Sequence, residues 1–284
     1  MKIYTSKSGH AKGDTFRELL SMWIESGYCT TEESNDRFCW VGGVGEILLY
    51  EYARFDFMPE QWKYGLFSNM QMGDDNCSPW IFWARHPRKL EQSIEEGILT
   101  YSERETESIF LGKIENQIQY QNRMNFDWRM TLEEFNMPIT MGNVHEYTYT
   151  QEEYLNKIKN SKFGLVLPGY GPKCNREIEY LGLGTVPVFT EGCSLDYFNS
   201  MEEGVHYLTA KNPVHLKEVI DSITEKQWEE LSSNGREWYE KNCSREGSFK
   251  TTQKIVEELK CEHLQSTAMY QEPLFSCVFS HYPI

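Results

Sequence analysis

Short apolar runs bounded by glycine, proline and polar clusters alternate along this chain with stretches whose apolar residues recur every three or four positions. The first rhythm is that of buried strands, the second that of amphipathic helices. Lys2 to Thr5 predicts a strand, and Asp14 is placed to cap a helix in which Phe16, Leu19, Leu20, Trp23 and Ile24 share a face. Phe38 to Val41, Glu46 to Tyr52 and Tyr64 to Met70 predict further strands, with Gly42-Gly43 punctuating the first two. Trp80 to Pro87 is aromatic enough for an interface or a cleft wall, and Arg88 to Leu99 turns helical. The polar, charged stretch Thr100 to Glu107 marks a domain boundary.

The rhythm then restarts. Ser108 to Ile114 predicts a strand, followed by a polar helical segment carrying Arg123, a strand over Pro138 to Val144, and a helix over Thr150 to Lys159. Phe163 to Leu167 predicts a strand buried on both faces, broken sharply by Pro168-Gly169-Tyr170-Gly171-Pro172. A short helix over Lys173 to Leu183 stops at Gly184, and Val186 to Phe189 resumes the sheet. Val205 to Thr209 adds a strand and Pro213 to Ile223 a helix. Glu225 to Leu264 reads as helices with Trp228, Leu231, Trp238 and Tyr239 inward, and Gln265 to Ile284 as an irregular tail.

Strands alternating with helices predict parallel sheets covered on both faces. The expected fold is α/β with two Rossmann-like domains, residues 1–104 and 105–264, facing a central cleft, and a tail over 265–284 packing back on the first. This is the GT-B architecture, although flavodoxin-like and periplasmic-binding folds share the pattern. The most informative unit is the strand, glycine turn and helix between residues 160 and 190, because such a turn presents a helix N-terminus to a ligand, usually an anion.

Composition narrows the partners. The formal net charge of −15 opposes nucleic acid and anionic lipid, so an anionic ligand must be held in a local basic pocket. The residues after Met1 lack the apolar stretch of a signal peptide, and no run reaches the length of a membrane span. The 8 cysteines form no Cys-x-x-Cys pair, which opposes a zinc site or a disulfide framework. A soluble, cytoplasmic protein is expected; its oligomeric state is open.

The central stretch resembles the exostosin-like glycosyltransferase family. Ser161, Phe163, Leu165, Leu167, Pro168 and Gly171, then Arg176 and Glu179, then Gly184, Pro187 and Val188 match the family's pattern, and Phe110-Leu111-Gly112-Lys113 with Arg123 resembles its opening donor-domain strand. The likeness covers roughly residues 108 to 210. In length and in lacking an anchor the chain is similar to the compact soluble members that large algal viruses encode. The resemblance implies inverting transfer of a sugar, with xylose the first to test, from a UDP-sugar to a hydroxyl of a glycan acceptor. It also implies that Glu179 takes the ribose diol.

Such a transfer passes through an oxocarbenium-like state. It needs positive charge at the departing diphosphate, an anchor for the nucleoside and a base for the acceptor hydroxyl. Arg176, just after the glycine turn, suits bidentate grip of a phosphate. Gly169, Tyr170 and Gly171 offer backbone approach, Lys113 and Arg123 further charge, and His145 a contact to the donor's nucleobase. Asp75, then Asp74, then His10 are the candidates for the catalytic base. No Asp-x-Asp stands where a metal-bound diphosphate would need it, so no metal or other cofactor is expected. Two other readings remain: a nucleotide-sugar epimerase or hydrolase on the same fold, and a non-catalytic carbohydrate-binding protein.

Overall fold

The computed structural model describes residues 1–6, 16–36, 39–42, 46–50, 62, 64–68, 77–141 and 149–269, the last eight and residue 50 by backbone alone. Its elements in chain order are β1 (Lys2–Ser6), α1 (Phe16–Glu25), β2 (Thr30–Ser34), β3 (Cys39–Val41), β4 (Ile47–Tyr50), β5 (Tyr64–Phe67), β6 (Cys77–Pro79), α2 (Pro87–Glu95), β7 (Thr106–Leu111), α3 (Gln117–Arg123), β8 (Glu134–Asn136), α4 (Gln151–Lys159), β9 (Ser161–Val166), α5 (Asn175–Leu183), β10 (Val186–Phe189), β11 (Leu208–Thr209), α6 (Pro213–Ser222), α7 (Glu225–Asn242) and α8 (Arg245–Met269). They build an α/β fold with two sheets, ordered β2-β1-β3-β4-β5-β6 and β11-β10-β9-β7-β8. No helix among the described residues is long and apolar enough to cross a membrane.

The first sheet departs from the expected parallel pattern, because β3 runs antiparallel to both β1 and β4. The reason is chain length. Val41 and Ile47 are joined by a few residues around Gly42, whereas a parallel pair needs a crossover of about a dozen residues or more. Two strands had no apolar signal. β2, Thr-Thr-Glu-Glu-Ser, lies parallel to β1 at the sheet edge with nearly every side chain exposed, where charge discourages further pairing. β6 closes the other edge. One face of this sheet packs Ile3, Val41, Ile47, Leu49 and Leu66 against Phe16, Leu19 and Trp23 of α1 and against Phe249, Ile255 and Val256 of α8. Ile24, expected inward, is exposed.

The second sheet is parallel throughout. Alternate residues of its strands feed two cores, as a sheet covered on both faces requires. Ile109, Leu111 and Val166 pack against α2, α4 and α5. Phe110, Phe163, Leu165 and Val188 pack against α6 and the start of α7. Its second strand is β8 rather than Pro138 to Val144; Ile139 makes only an isolated bridge to Ile114. Pro138 has no N–H to give a ladder, and residues 142–148 lie outside the described residues. The fifth strand shrinks to Leu208–Thr209. Helix α8 runs on through Met269, past the expected start of the irregular tail.

Trp80 to Ala84 joins the two sheets. Trp80, Ile81 and Trp83 enter the first core, Phe82 and Ala84 the second. The aromatic run is thus buried, not a cleft wall.

Counted in its own chain order, the second sheet reads 2-1-3-4-5. The order reverses between β7 and β9. In open α/β sheets the crevice outside the carboxyl ends of the strands at such a reversal is where ligands bind.

Candidate functional site

The carboxyl ends of β7 and β9 are held together by arginine. Asn116 caps α3 by accepting the N–H groups of Ile118 and Gln119, and α3 delivers Arg123 at its last position. Arg123 Nε donates to the Pro168 carbonyl (3.0 Å) and Nη1 to the Lys113 carbonyl (2.6 Å), bridging the segments that leave both strands. Asn122 Nδ2 donates to the Gly169 carbonyl (2.9 Å). From the other side, α5 delivers Arg176. Its Nε donates to the Leu111 carbonyl (2.9 Å), and its guanidinium carbon lies 4.4 Å from the centre of the Phe110 ring. The Arg123 guanidinium carbon is 5.9 Å from the same ring. Both arginines are buried, at 5% and 8% exposure.

Two glycines make room for this. A Cβ on Gly112 would stand 2.8 Å from Arg176 Nη2, and one on Gly169 would stand 2.7 Å from Cys174 Sγ and 3.2 Å from Arg123 Nη2. Gly169 therefore serves close packing, not an unusual backbone conformation, since its φ is not among the positive values. Its N–H donates to the Gly171 carbonyl (3.0 Å). Gly171 is buried and Tyr170 half-buried.

Of the other expected residues, Lys113 lends its carbonyl to Arg123, while its ammonium pairs with Glu115 (2.6 Å). Asp74, Asp75, His10 and His145, with the capping residue Asp14, lie outside the described residues. Glu179 lies inside the fold. It is 2% exposed, Oε1 accepts the Arg85 N–H (3.1 Å), and Oε2 accepts the Tyr154 hydroxyl (2.8 Å). Both oxygens are engaged in seating α5 on the connector and on α4. A ribose diol would share these oxygens with Arg85 and Tyr154.

A buried polar group beneath the glycine turn was not expected. Glu177, next to Arg176 on the same helix, is fully buried. Oε1 accepts the Tyr197 hydroxyl (2.5 Å) and Oε2 the Cys174 N–H (3.1 Å). Burial pushes its carboxyl up to about 7. Lys173, 2% exposed, donates to the Asp196 carbonyl and lies 4.2 Å from the Tyr197 ring. Burial brings its ammonium down to about 8, against the pull of Glu177. The signal was in the sequence: Cys174-x-x-Glu177 has capping-box spacing with a thiol in the place of a hydroxyl.

The result is three buried cations, Arg123, Lys173 and Arg176, around the N-terminus of α5. All sit where the strand order of a parallel sheet reverses, in a chain of net charge −15. Guanidinium groups and a helix N-terminus favour phosphate. Among the described residues no three His, Cys, Asp or Glu side chains gather as metal ligands. No protein-family model matches the chain, and no curated protein matches it.

Proposed function

We propose that this chain is a nucleotide-sugar-dependent glycosyltransferase of the exostosin-like kind, in which the second sheet holds the diphosphate of a UDP-sugar. The observation that carries the reading is the pair Arg123 and Arg176 at the reversal point of the second sheet, braced on the carbonyls of Leu111, Lys113 and Pro168. Departure of a nucleoside diphosphate leaves growing negative charge on the bridging oxygen. Fixed guanidinium groups and the N-terminus of α5 stabilise that charge without reorganising. In this reading the transfer needs no metal, the first sheet completes a GT-B cleft and supplies the acceptor side, and the base is Asp75, Asp74 or His10. A sugar acceptor hydroxyl attacks the anomeric carbon with inversion, the base takes its proton, and UDP leaves.

Melting temperature measured with UDP and with UDP-sugars, UDP-xylose first, tests the reading. UDP is expected to raise it. Gly112→Ala keeps the charge of Arg176 but crowds Nη2, and Arg176→Ala removes the charge. Both are expected to weaken UDP by about tenfold or more, and Gly112→Ala, whose Cβ would also stand 3.0 Å from two atoms of the buried Phe110 ring, is expected to lower the ligand-free melting temperature as well. If no nucleoside diphosphate shifts the transition, the reading is wrong. Donor turnover without an acceptor, unchanged when glycans are added, would point to the hydrolase or epimerase instead. Activity lost in a chelator and restored by manganese would overturn metal independence.

A further inference from the structure

The proposed transfer gives no role to Glu177, although its carboxylate lies beneath the glycine turn at the end of α5 that is to face the diphosphate. Oε2 accepts the N–H of Cys174, the N-cap residue of that helix. The side chain is wholly shielded from solvent, so water screens it little from any charge placed at that helix end. Lys173 and Arg176 both lie close enough to favour its charged form. Arg123 reaches Cys174 Sγ at 4.0 Å.

The other titrating groups that face Glu177 are thiols and a phenol. Cys174 stands on its own turn, Cys193 and Tyr197 come from the segment after β10, and Cys243 from the end of α7. Burial raises all four, so they stay neutral near pH 7 and the charges there belong to Glu177 and the cations. Asp196 faces Lys173 from the exposed side, and its carboxylate takes the Ser194 hydroxyl (3.1 Å). The same segment pins the turn. Ser194 N–H donates to the Pro172 carbonyl (3.0 Å), Lys173 to the Asp196 carbonyl, and the Tyr197 hydroxyl to Glu177 Oε1 (2.5 Å). Glu177 thus has no room to swing away from a ligand seated on the turn.

The cations cannot serve two anions at full strength. A phosphate against Arg123, Arg176 and the N-terminus of α5 takes over attraction that now offsets the burial of Glu177, and adds repulsion of its own. A proton on the carboxyl removes both costs. We infer that the site and Glu177 are linked through a proton: an anion at the N-terminus of α5 and a proton on the Glu177 carboxyl favour each other, so the ligand enters with a proton taken from solvent. Glu177 is in this sense a positioning residue, acting through the cations and touching no reacting atom. Naming the anion as the diphosphate of a UDP-sugar rests on the proposed function. The linkage is reciprocal, and burial alone already pushes the carboxyl up to about 7. About half of the ligand-free molecules therefore have the charge to lose at pH 7. Lys173, brought down to about 8, is mostly charged there.

The test titrates the full chain with UDP-xylose and UDP-glucose, which lack the phosphate monoester of second pKa about 6, and separately with sulfate. Calorimetry at pH 7 in two non-phosphate buffers of different ionisation heat counts the protons. Wild type is expected to take up about half a proton with a UDP-sugar, and its affinity to fall by about threefold from pH 6 to pH 7.5. Glu177→Gln is expected to take up almost none, to match wild type at pH 6 and to hold that affinity at pH 7.5. Tyr197→Phe, which removes a donor to the charged form and raises the carboxyl further, is expected to show a smaller fall over the same range. That variant keeps the inference testable if Glu177→Gln does not fold. A UDP-sugar bound with no proton uptake, the same uptake in Glu177→Gln, or weaker binding by Glu177→Gln at every pH overturns the inference and leaves the diphosphate site standing. Sulfate, read from melting temperatures at pH 6 and pH 7.5, separates the opposite case. Sulfate bound more tightly at pH 6 in wild type but not in Glu177→Gln, with no UDP-sugar bound, upholds the linkage and sinks the donor reading. No response to any of these anions sinks both.

Discussion

Glu177 holds a carboxyl group wholly out of solvent, between the Tyr197 hydroxyl and the Cys174 N–H, and its ionisation is therefore coupled to folding. Its value rises from 4.5 in the free chain to about 7 in the fold because burial disfavours the charge. A raised carboxyl contributes stability that is fully present below pH 4.5 and is lost as pH rises through about 7. Lys173 runs the other way. Lowered from 10.5 to about 8 by burial, it contributes stability present above 10.5 and lost as pH falls through about 8. Both groups are ionised together only between the two, where their attraction offsets part of the cost. Glu177→Gln keeps the shape and removes the first titration. The stability of wild type relative to this variant is expected to fall by up to about 3 kcal/mol between pH 4.5 and pH 7.5, read from denaturant midpoints at each pH. Parallel pH curves for the two proteins would show that Glu177 is already ionised throughout.

Helix α5 works as a hub because its sides face different elements. Asn175 Nδ2 donates to the Trp83 carbonyl (2.8 Å), Arg176 reaches β7, Glu177 faces inward under the turn, and Glu179 takes the Arg85 N–H and the Tyr154 hydroxyl. Tyr154→Phe leaves one oxygen of a buried carboxylate short of a donor. It is expected to cost about 1 to 3 kcal/mol in urea denaturation and to leave the UDP response unchanged. A variant with wild-type stability and weakened UDP would instead tie Glu179 to the ligand, as the resemblance implies. The helix itself was legible, with its apolar spacing and its stop at Gly184, whose φ of 71° suits glycine. The parallel strands β7, β9 and β10 were legible for the same reason, since strands buried on both faces read as unbroken apolar runs. β2 was not, because an edge strand held by main-chain bonds needs no apolar side chains. The direction of Glu179 was not either. Spacing puts Arg176 and Glu179 on nearly one face, but which neighbour that face meets depends on α4 and the connector, which pack there from distant sequence.

At the scale of the whole molecule, the chain crosses between its two sheets twice. The Trp80 to Ala84 segment divides its side chains between the cores on the two sides. Helix α8, after the last strand of the second sheet, returns to the first and brings hydroxyl groups into its core. Trp23 Nε1 donates to Ser248 Oγ (3.0 Å) and Trp80 Nε1 to Thr252 Oγ1 (2.7 Å), and both hydroxyl residues are fully buried. The first sheet is thus completed by residues 225 and 172 positions away in sequence. Neither sheet can lose its fold without exposing apolar surface that belongs to the other, so the two should unfold as one cooperative unit. Thr252→Val tests this with little change of volume. It strips the acceptor from Trp80, a buried donor, and is expected to cost about 1 to 3 kcal/mol. In scanning calorimetry the variant should show a single transition at lower temperature, with calorimetric and van't Hoff enthalpies in agreement. A thermogram that splits, with only the lower peak displaced by Thr252→Val, would show instead that the first sheet melts while the second, with its arginine pair and glycine turn, stays folded.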